Sequence, residues 1–133
     1  MPFKKVGELD EEEVERVLER IRRYARHIKE VPAAVLAVLL VAKYRNAEPL
    51  YYTEIAEIVG AILDRNPLDL LPYIRAIACE LSDAGYLIRE RRGRRTMVRL
   101  KDDAILPEVE ARIRHGCRTV LEDFIEELLT HLA

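Results

Sequence analysis

The sequence predicts a mainly α fold with one small β-hairpin, an α+β domain whose central helices and hairpin are flanked by a long helix on either side. Three observations carry that reading. Apolar residues recur at helical spacing over most of the 133 residues. Proline and glycine break those runs at Pro32, Pro67, Gly85 and Pro107. One stretch alone, YLIRERRGRRTMVRL from Tyr86 to Leu100, sets β-formers around a turn signal. The length is that of a single domain, 1–133, divided into an N-terminal helix (10–30), a core (33–101) and a C-terminal helix (107–132).

The first helix is expected from about Asp10 to Glu30, because Glu11, Glu12 and Glu13 suit the positive end of a helix dipole. Val14, Leu18, Ile21, Ala25 and Ile28 form a coiled-coil-like seam along it, and such a seam needs a partner surface. Pro32 separates this helix from a second, Ala33 to about Arg45, which is apolar nearly all round and therefore central. NAEPL reads as a loop. Thr53 is the expected N-cap of a third helix with Ile55, Ala56, Val59 and Ile62/Leu63 on its apolar side. A fourth helix starts with Asp69 as its N-cap and buries Ile74, Ile77, Ala78 and Leu81. It ends at Gly85, the usual place for a left-handed residue.

The hairpin follows. A three-residue loop, Arg92-Gly93-Arg94, would oppose Ile88 to Val98 and Tyr86 to Leu100 and put the apolar residues on one face. Arg89, Arg91, Arg95 and Arg99 would then share the other face, with Arg92 and Arg94 at the tip. Pro107 opens the last helix, whose apolar side includes Phe124 and Leu128. That stripe and the N-terminal seam would bury one another across a two-fold axis, so a homodimer is expected.

Net charge is −2, yet it is unevenly spread. Residues 86–101 carry seven Lys and Arg against one Glu, whereas residues 31–85 carry four against seven and residues 102–133 three against eight. A short basic segment between acidic ones implies a localised anionic partner. Metal and cofactor chemistry are not expected. Cys79 and Cys117 make no CxxC pair, His27, His115 and His131 stand far apart, and no phosphate loop or catalytic constellation is present. The chain therefore reads as a non-enzyme. The run Val31 to Ala42 is too short to span a bilayer and the N-terminus has no apolar signal core, so a cytoplasmic protein is expected. Both cysteines read as structural thiols. The absence of glutamine and abundance of Glu and Arg match hyperthermophile composition, where an intracellular disulfide is less unusual.

Helix, helix, then a helix ending in LSDAGYLIRERRGRRTMVRL resembles the winged helix-turn-helix family, over about Ala33 to Leu100. Ile74, Ala78, Leu81 and Gly85-Tyr86-Leu87 look like a recognition helix turning into a wing. The long outer helices are similar to those of MarR-type dimeric regulators, in which the outer helices make the dimer. The tip RRGRR and the continuation LKDDAILP depart from that subfamily, so no effector pocket is carried over. The resemblance implies double-stranded DNA as partner, with a recognition helix in the major groove and a wing on backbone or minor groove. Arg89, Arg91, Arg92, Arg94, Arg95 and Arg99 would clamp phosphates, Tyr73 and Arg75 would meet bases, and Thr53 would join them from the preceding helix. Asp69 and Glu80 on the recognition helix would repel phosphates. Two uses stay open: a transcription regulator relying on wing and DNA shape, or a winged helix that docks a protein through Leu70, Leu71, Pro72 and Tyr73.

Overall fold

The computed structural model describes residues 4–27, 30–115 and 129–130, and in it helices predominate around one small antiparallel sheet. Helix α1 is Glu11–His27. Its start follows from a reciprocal cap. The Glu13 amide donates to Asp10 Oδ1 at 2.9 Å and the Asp10 amide donates to Glu13 Oε1 at 3.3 Å. Helix α2, Glu30–Tyr44, is apolar on every side and touches α1, α3 (Tyr52–Leu63), α4 (Pro67–Asp83) and the third strand of the sheet. Pro32 does not separate two helices. It lies in the first turn of α2, where a proline interrupts no intrahelical bond.

The seam of α1 is covered within the chain. Val14, Val17 and Ile21 are buried and Leu18 is half-buried, because α2 is apolar all round and has a face left over for α1. The expectation that Val14, Leu18 and Ile21 await a second copy is therefore corrected. The Ala25 side chain, Ile28, Phe124 and Leu128 lie outside the described residues, as does Cys117.

Strand β1, Leu50–Tyr51, stands where a loop was expected, and α3 follows it directly. The Tyr51 amide donates to Glu54 Oε1 at 2.9 Å, so the helix begins before Thr53, which becomes its second residue and not its N-cap. Ile55, Ala56 and Val59 face the core as expected, whereas Ile62 is exposed. Helix α4 also begins earlier than expected. Asn66 Oδ1 accepts from the Leu68 amide at 3.0 Å and Pro67 takes the first helical position, a stronger start signal than Asp69. Pro72 consequently sits inside the helix, where it removes the bond to the Leu68 carbonyl.

The C-terminal end of α4 is as expected. Gly85 takes φ 87°, its amide donates to Ser82 O at 3.0 Å, and the Tyr86 amide donates to Leu81 O at 2.9 Å. This double closure launches β2, Leu87–Arg92, which pairs with β3, Arg95–Leu100, in a sheet ordered β1-β3-β2. Helix α5, Leu106–His115, follows, and its expected continuation to Leu132 lies outside the described residues except for Leu129 and Thr130.

Leu36, Ile55, Leu70, Ile74, Ile77, Leu81, Leu100 and Ile113 are almost completely buried, drawn from α2, α3, α4, β3 and α5. Each such side chain contributes roughly 1.5–3 kcal/mol over its exposed state, so apolar packing holds the body together. The exposed arginines of the hairpin are not needed for that. Among the described residues no helix is long and apolar enough to cross a membrane.

Candidate nucleic-acid interface

Arg92 pairs with Arg95, which leaves Gly93 and Arg94 as a two-residue loop. Gly93 takes φ 63° and Arg94 does not take a positive φ, the pattern of a tight turn with glycine at its first central position. The expected three-residue loop is thus corrected by one residue, and one residue changes every face. Leu87, Arg89 and Arg91 stand opposite Leu100, Val98 and Thr96. Ile88, Glu90 and Arg92 stand opposite Arg99, Met97 and Arg95. The four arginines predicted to share a face are divided two and two. Apolar burial explains the choice: this register puts Leu87, Val98 and Leu100 together on the core, each nearly inaccessible.

The arginines are regrouped by position along the hairpin. An open groove of about 660 Å³ lies between α4, the outer half of the hairpin and the first turn of α3. Arg75 enters it from α4, Arg89 and Arg91 from β2, Arg94 from the loop and Arg95 from β3. Arg75, Arg91 and Arg94 are exposed and make no ion pair with any described residue. Arg92 and Arg99 are not part of the groove lining. Arg92 lies 3.8 Å from Glu90 Oε2, and the charge of Arg99 is felt by Asp102 on the far side of the sheet.

Two of the groove arginines are held in place. Arg95 Nη2 donates to Thr53 Oγ1 at 2.7 Å, and its guanidinium carbon sits 3.6 Å from the centre of the Tyr51 ring. Arg89 Nη1 donates to Cys79 Sγ at 3.0 Å. The Cys79 sulfur first, and then the Tyr52 hydroxyl, push the Arg89 guanidinium above its already high range. Burial pushes the Tyr52 phenol above its ordinary value, and its hydrogen bond to Arg89 works against that. These contacts restrict guanidinium rotation before any ligand arrives, which lowers the entropy that binding would cost.

The first turn of α3 adds partial positive charge to the same place. Tyr52 and Thr53 are its first two residues and both line the groove, so their amides belong to the unbonded donors of a helix start. Five guanidiniums and a helix N-terminus around one open groove can receive a run of anionic oxygens. The forked donors suit phosphate in particular.

Helix α4, expected to act as a recognition helix, differs from that expectation. Tyr73 is 3 % exposed and faces the core, so it cannot meet a base edge. Leu70 is buried too, which removes it and Tyr73 from the docking surface imagined for them. The reason is its place on the helix: Tyr73 lies one residue before Ile74 and four before Ile77, on the edge of the buried stripe, where the body of the protein covers it. Of the predicted site, Thr53, Arg75, Arg89, Arg91, Arg94 and Arg95 come together, and Tyr73, Arg92 and Arg99 do not. Tyr51 was not legible in the sequence because a two-residue strand has no periodicity to betray it, and Tyr52 and Cys79 join the groove only through what packs beside them, Tyr52 at the start of α3 and Cys79 in α4 beneath Arg89.

Among the described residues, no group of three or more His, Cys, Asp or Glu side chains could hold a metal ion. Comparison of the chain with protein-family models, with curated proteins and with solved structures finds no match.

Proposed function

We propose that the arginine-lined groove grips the phosphate backbone of duplex DNA and that the protein is a winged-helix DNA-binding domain. The observation that carries this is the convergence of Arg75, Arg89, Arg91, Arg94 and Arg95 on one groove beside the first turn of α3. Charge protection of an exposed strand edge would need no such focus, since charges placed anywhere along the strand serve that purpose. The order helix α2, strand β1, helices α3 and α4, then the β2–β3 hairpin supports the winged-helix reading. So does the sheet order, in which β3 lies between β1 and β2. In it α4 is the recognition helix and the hairpin is the wing.

Binding should be strongly salt-dependent. If all five groove arginines meet phosphates, the log–log slope of affinity against salt should be about 4 to 5, each contact giving about 0.9. A titration of random-sequence duplex at several salt concentrations measures it. A slope near zero, or no binding at low salt, sinks the reading. The grip as proposed is complete within one chain.

A second reading, docking of a protein, has one observation in its favour. Ile58, Ile62 and Leu68 are 43 %, 61 % and 73 % exposed on the outer side of α3 and the first turn of α4. It becomes the better reading if duplex DNA is not bound.

A further inference from the structure

We infer that this protein binds duplex DNA with almost no choice of sequence, because the solvent face of α4 can read at most one base pair. The inference rests on the DNA-binding reading and goes beyond it: it decides between an architectural binder and a sequence-specific regulator.

Helical spacing puts Leu68, Pro72, Arg75, Cys79 and Ser82 along one side of α4, with the exposed Asp69 and Asp83 and the half-buried Ala76 and Glu80 beside them. Ala76 carries no side-chain donor or acceptor, and the carboxylates of Glu80 and Asp83 would repel phosphate. Reading a base edge in the major groove takes a side chain that reaches out and presents donors or acceptors in the right pattern. Leu68 and Pro72 have neither. Asp69 can accept from cytosine, but its carboxylate would stand among phosphates. Cys79 is engaged by Arg89 at the floor of the groove, and Ser82 is short and lies in the last turn. Tyr73, the second reader expected from sequence, is packed into the core. Arg75 alone remains, exposed and with a forked donor set that matches guanine.

Base-specific modules of this type place three or four side chains on base edges. One good bidentate contact discriminates by about 5- to 150-fold, the equivalent of its typical energy at tenfold per 1.4 kcal/mol. Specific regulators bind their sites roughly 1,000-fold or more above background. One Arg75 falls short of that. Everything else in the groove addresses the backbone: Arg91 and Arg94 are uncommitted, and Arg89 and Arg95 are fixed beside the first turn of α3. The arrangement maximises contact with any duplex and minimises choice among duplexes.

Selection of bound fragments from a random-sequence duplex pool tests this with the full chain. It is followed by titration of a selected and an unselected duplex against the wild type and Arg75→Ala. The expected result is enrichment at no more than one guanine position and a selected-to-unselected affinity ratio below about 150, the reach of one contact. In Arg75→Ala that ratio should fall towards one, while the unselected duplex, on which Arg75 has no guanine to read and meets a phosphate instead, stays bound with a salt slope lower by about 0.9. Enrichment of a motif of two or more positions in the wild type overturns the inference while leaving the DNA-binding reading intact, and this needs no variant to fold. Failure of the wild type to bind any duplex overturns both.

Discussion

Lys43 and Arg75 carry the same charge in different parts of the molecule and are treated in opposite ways. The Lys43 side chain is 9 % exposed, with Nζ 2.8 Å from Glu48 Oε1 and 2.5 Å from Asp102 Oδ1. It ties the end of α2 to the segment after β3. Nearby, the Val6 amide donates to Ala104 O at 2.7 Å, the Gly7 amide donates to Asp102 O at 2.9 Å, and Arg20 pairs with Glu110 across α1 and α5. In the groove, Arg75, Arg91 and Arg94 face solvent without a carboxylate partner among the described residues. Walled-in charge orders the fold, and the cost of removing it falls on stability. Charge left in water contributes little to stability and keeps its full electrostatic reach for a partner. The two regions should therefore fail separately.

The largest effect should come from the open region. Replacing Arg75, Arg91 and Arg94 together by alanine should weaken binding to all duplexes and lower the salt slope by about 2.7, three contacts at about 0.9 each. Thermal unfolding should be nearly unchanged, because exposed side chains away from packing rarely matter to stability. Binding should also be flat with pH into the alkaline range. The arginines keep their charge, and Tyr52, raised above 10.0 by burial, stays neutral there. A triple variant that binds as well as wild type would remove the groove from consideration.

The next effect belongs to the walled-in region. Lys43→Met leaves Glu48 without its cation, and breaking a buried pair by removing one partner costs about 3 kcal/mol. Urea denaturation should record that loss, and DNA affinity of the folded variant should not change. The acid side offers a second reading of the same pair. The Lys43 ammonium, by hydrogen bond and then by charge, holds the Asp102 carboxyl below its ordinary 3.8. A depressed folded value means that this contribution is present above pH 3.8 and is lost as pH falls through the folded value. Lys43→Met should lose that step of the acid transition. If DNA affinity falls instead, the two regions are coupled and the division between them is wrong.

A smaller effect tests the joint between α4 and the β2–β3 hairpin. Gly85 holds φ 87°, and a Cβ placed there would meet nothing within 4 Å. The penalty of Gly85→Ala is then backbone strain alone, roughly 1–2 kcal/mol. Differential scanning calorimetry should find a lowered midpoint, with groove chemistry retained at temperatures where the variant is folded. An unchanged midpoint would mean that the chain escapes the left-handed conformation at that point.

Much of this architecture can be read from residues alone, and the exceptions have a common cause. The helices α1, α2 and α3, the closure at Gly85 and the hairpin itself follow from local chemistry: caps, apolar periodicity, a glycine free to take positive φ. The misread features depend on what a neighbour covers. The α1 seam looks like a dimer surface until α2 is seen to have a spare face. Asn66-Pro67 outranks Asp69 as a helix start, and Tyr73, at the edge of the buried stripe, is taken into the core by what packs over it. The hairpin register turned on whether Leu87 or Ile88 joins Val98 inside, and both are apolar β-formers. The groove survived those errors in part because its arginines cluster near the tip, where both strands are short of the core.

The smallest effect is the sharpest control on the comparison. Arg92 and Arg99 lie in the same hairpin as the groove arginines and would be indistinguishable from them by composition. The register puts them with Ile88 and Met97, and neither lines the groove. Arg92 already has Glu90 at 3.8 Å, and Arg99 already contributes to holding the Asp102 carboxyl low. Arg92 thus has a carboxylate neighbour, Arg99 acts on Asp102 through its charge alone, and neither faces the groove despite its address. Replacing the two together by alanine removes two positive charges from the wing, yet should change the salt slope by less than the 0.9 or so of a single phosphate contact. Replacing Arg91 and Arg94 removes the same charge from the same hairpin and should change it by about 1.8. Side-by-side titrations of the two double variants separate a groove from a merely basic hairpin. Equal losses would mean that only the number of charges matters, and that the register of the wing has no part in recognition.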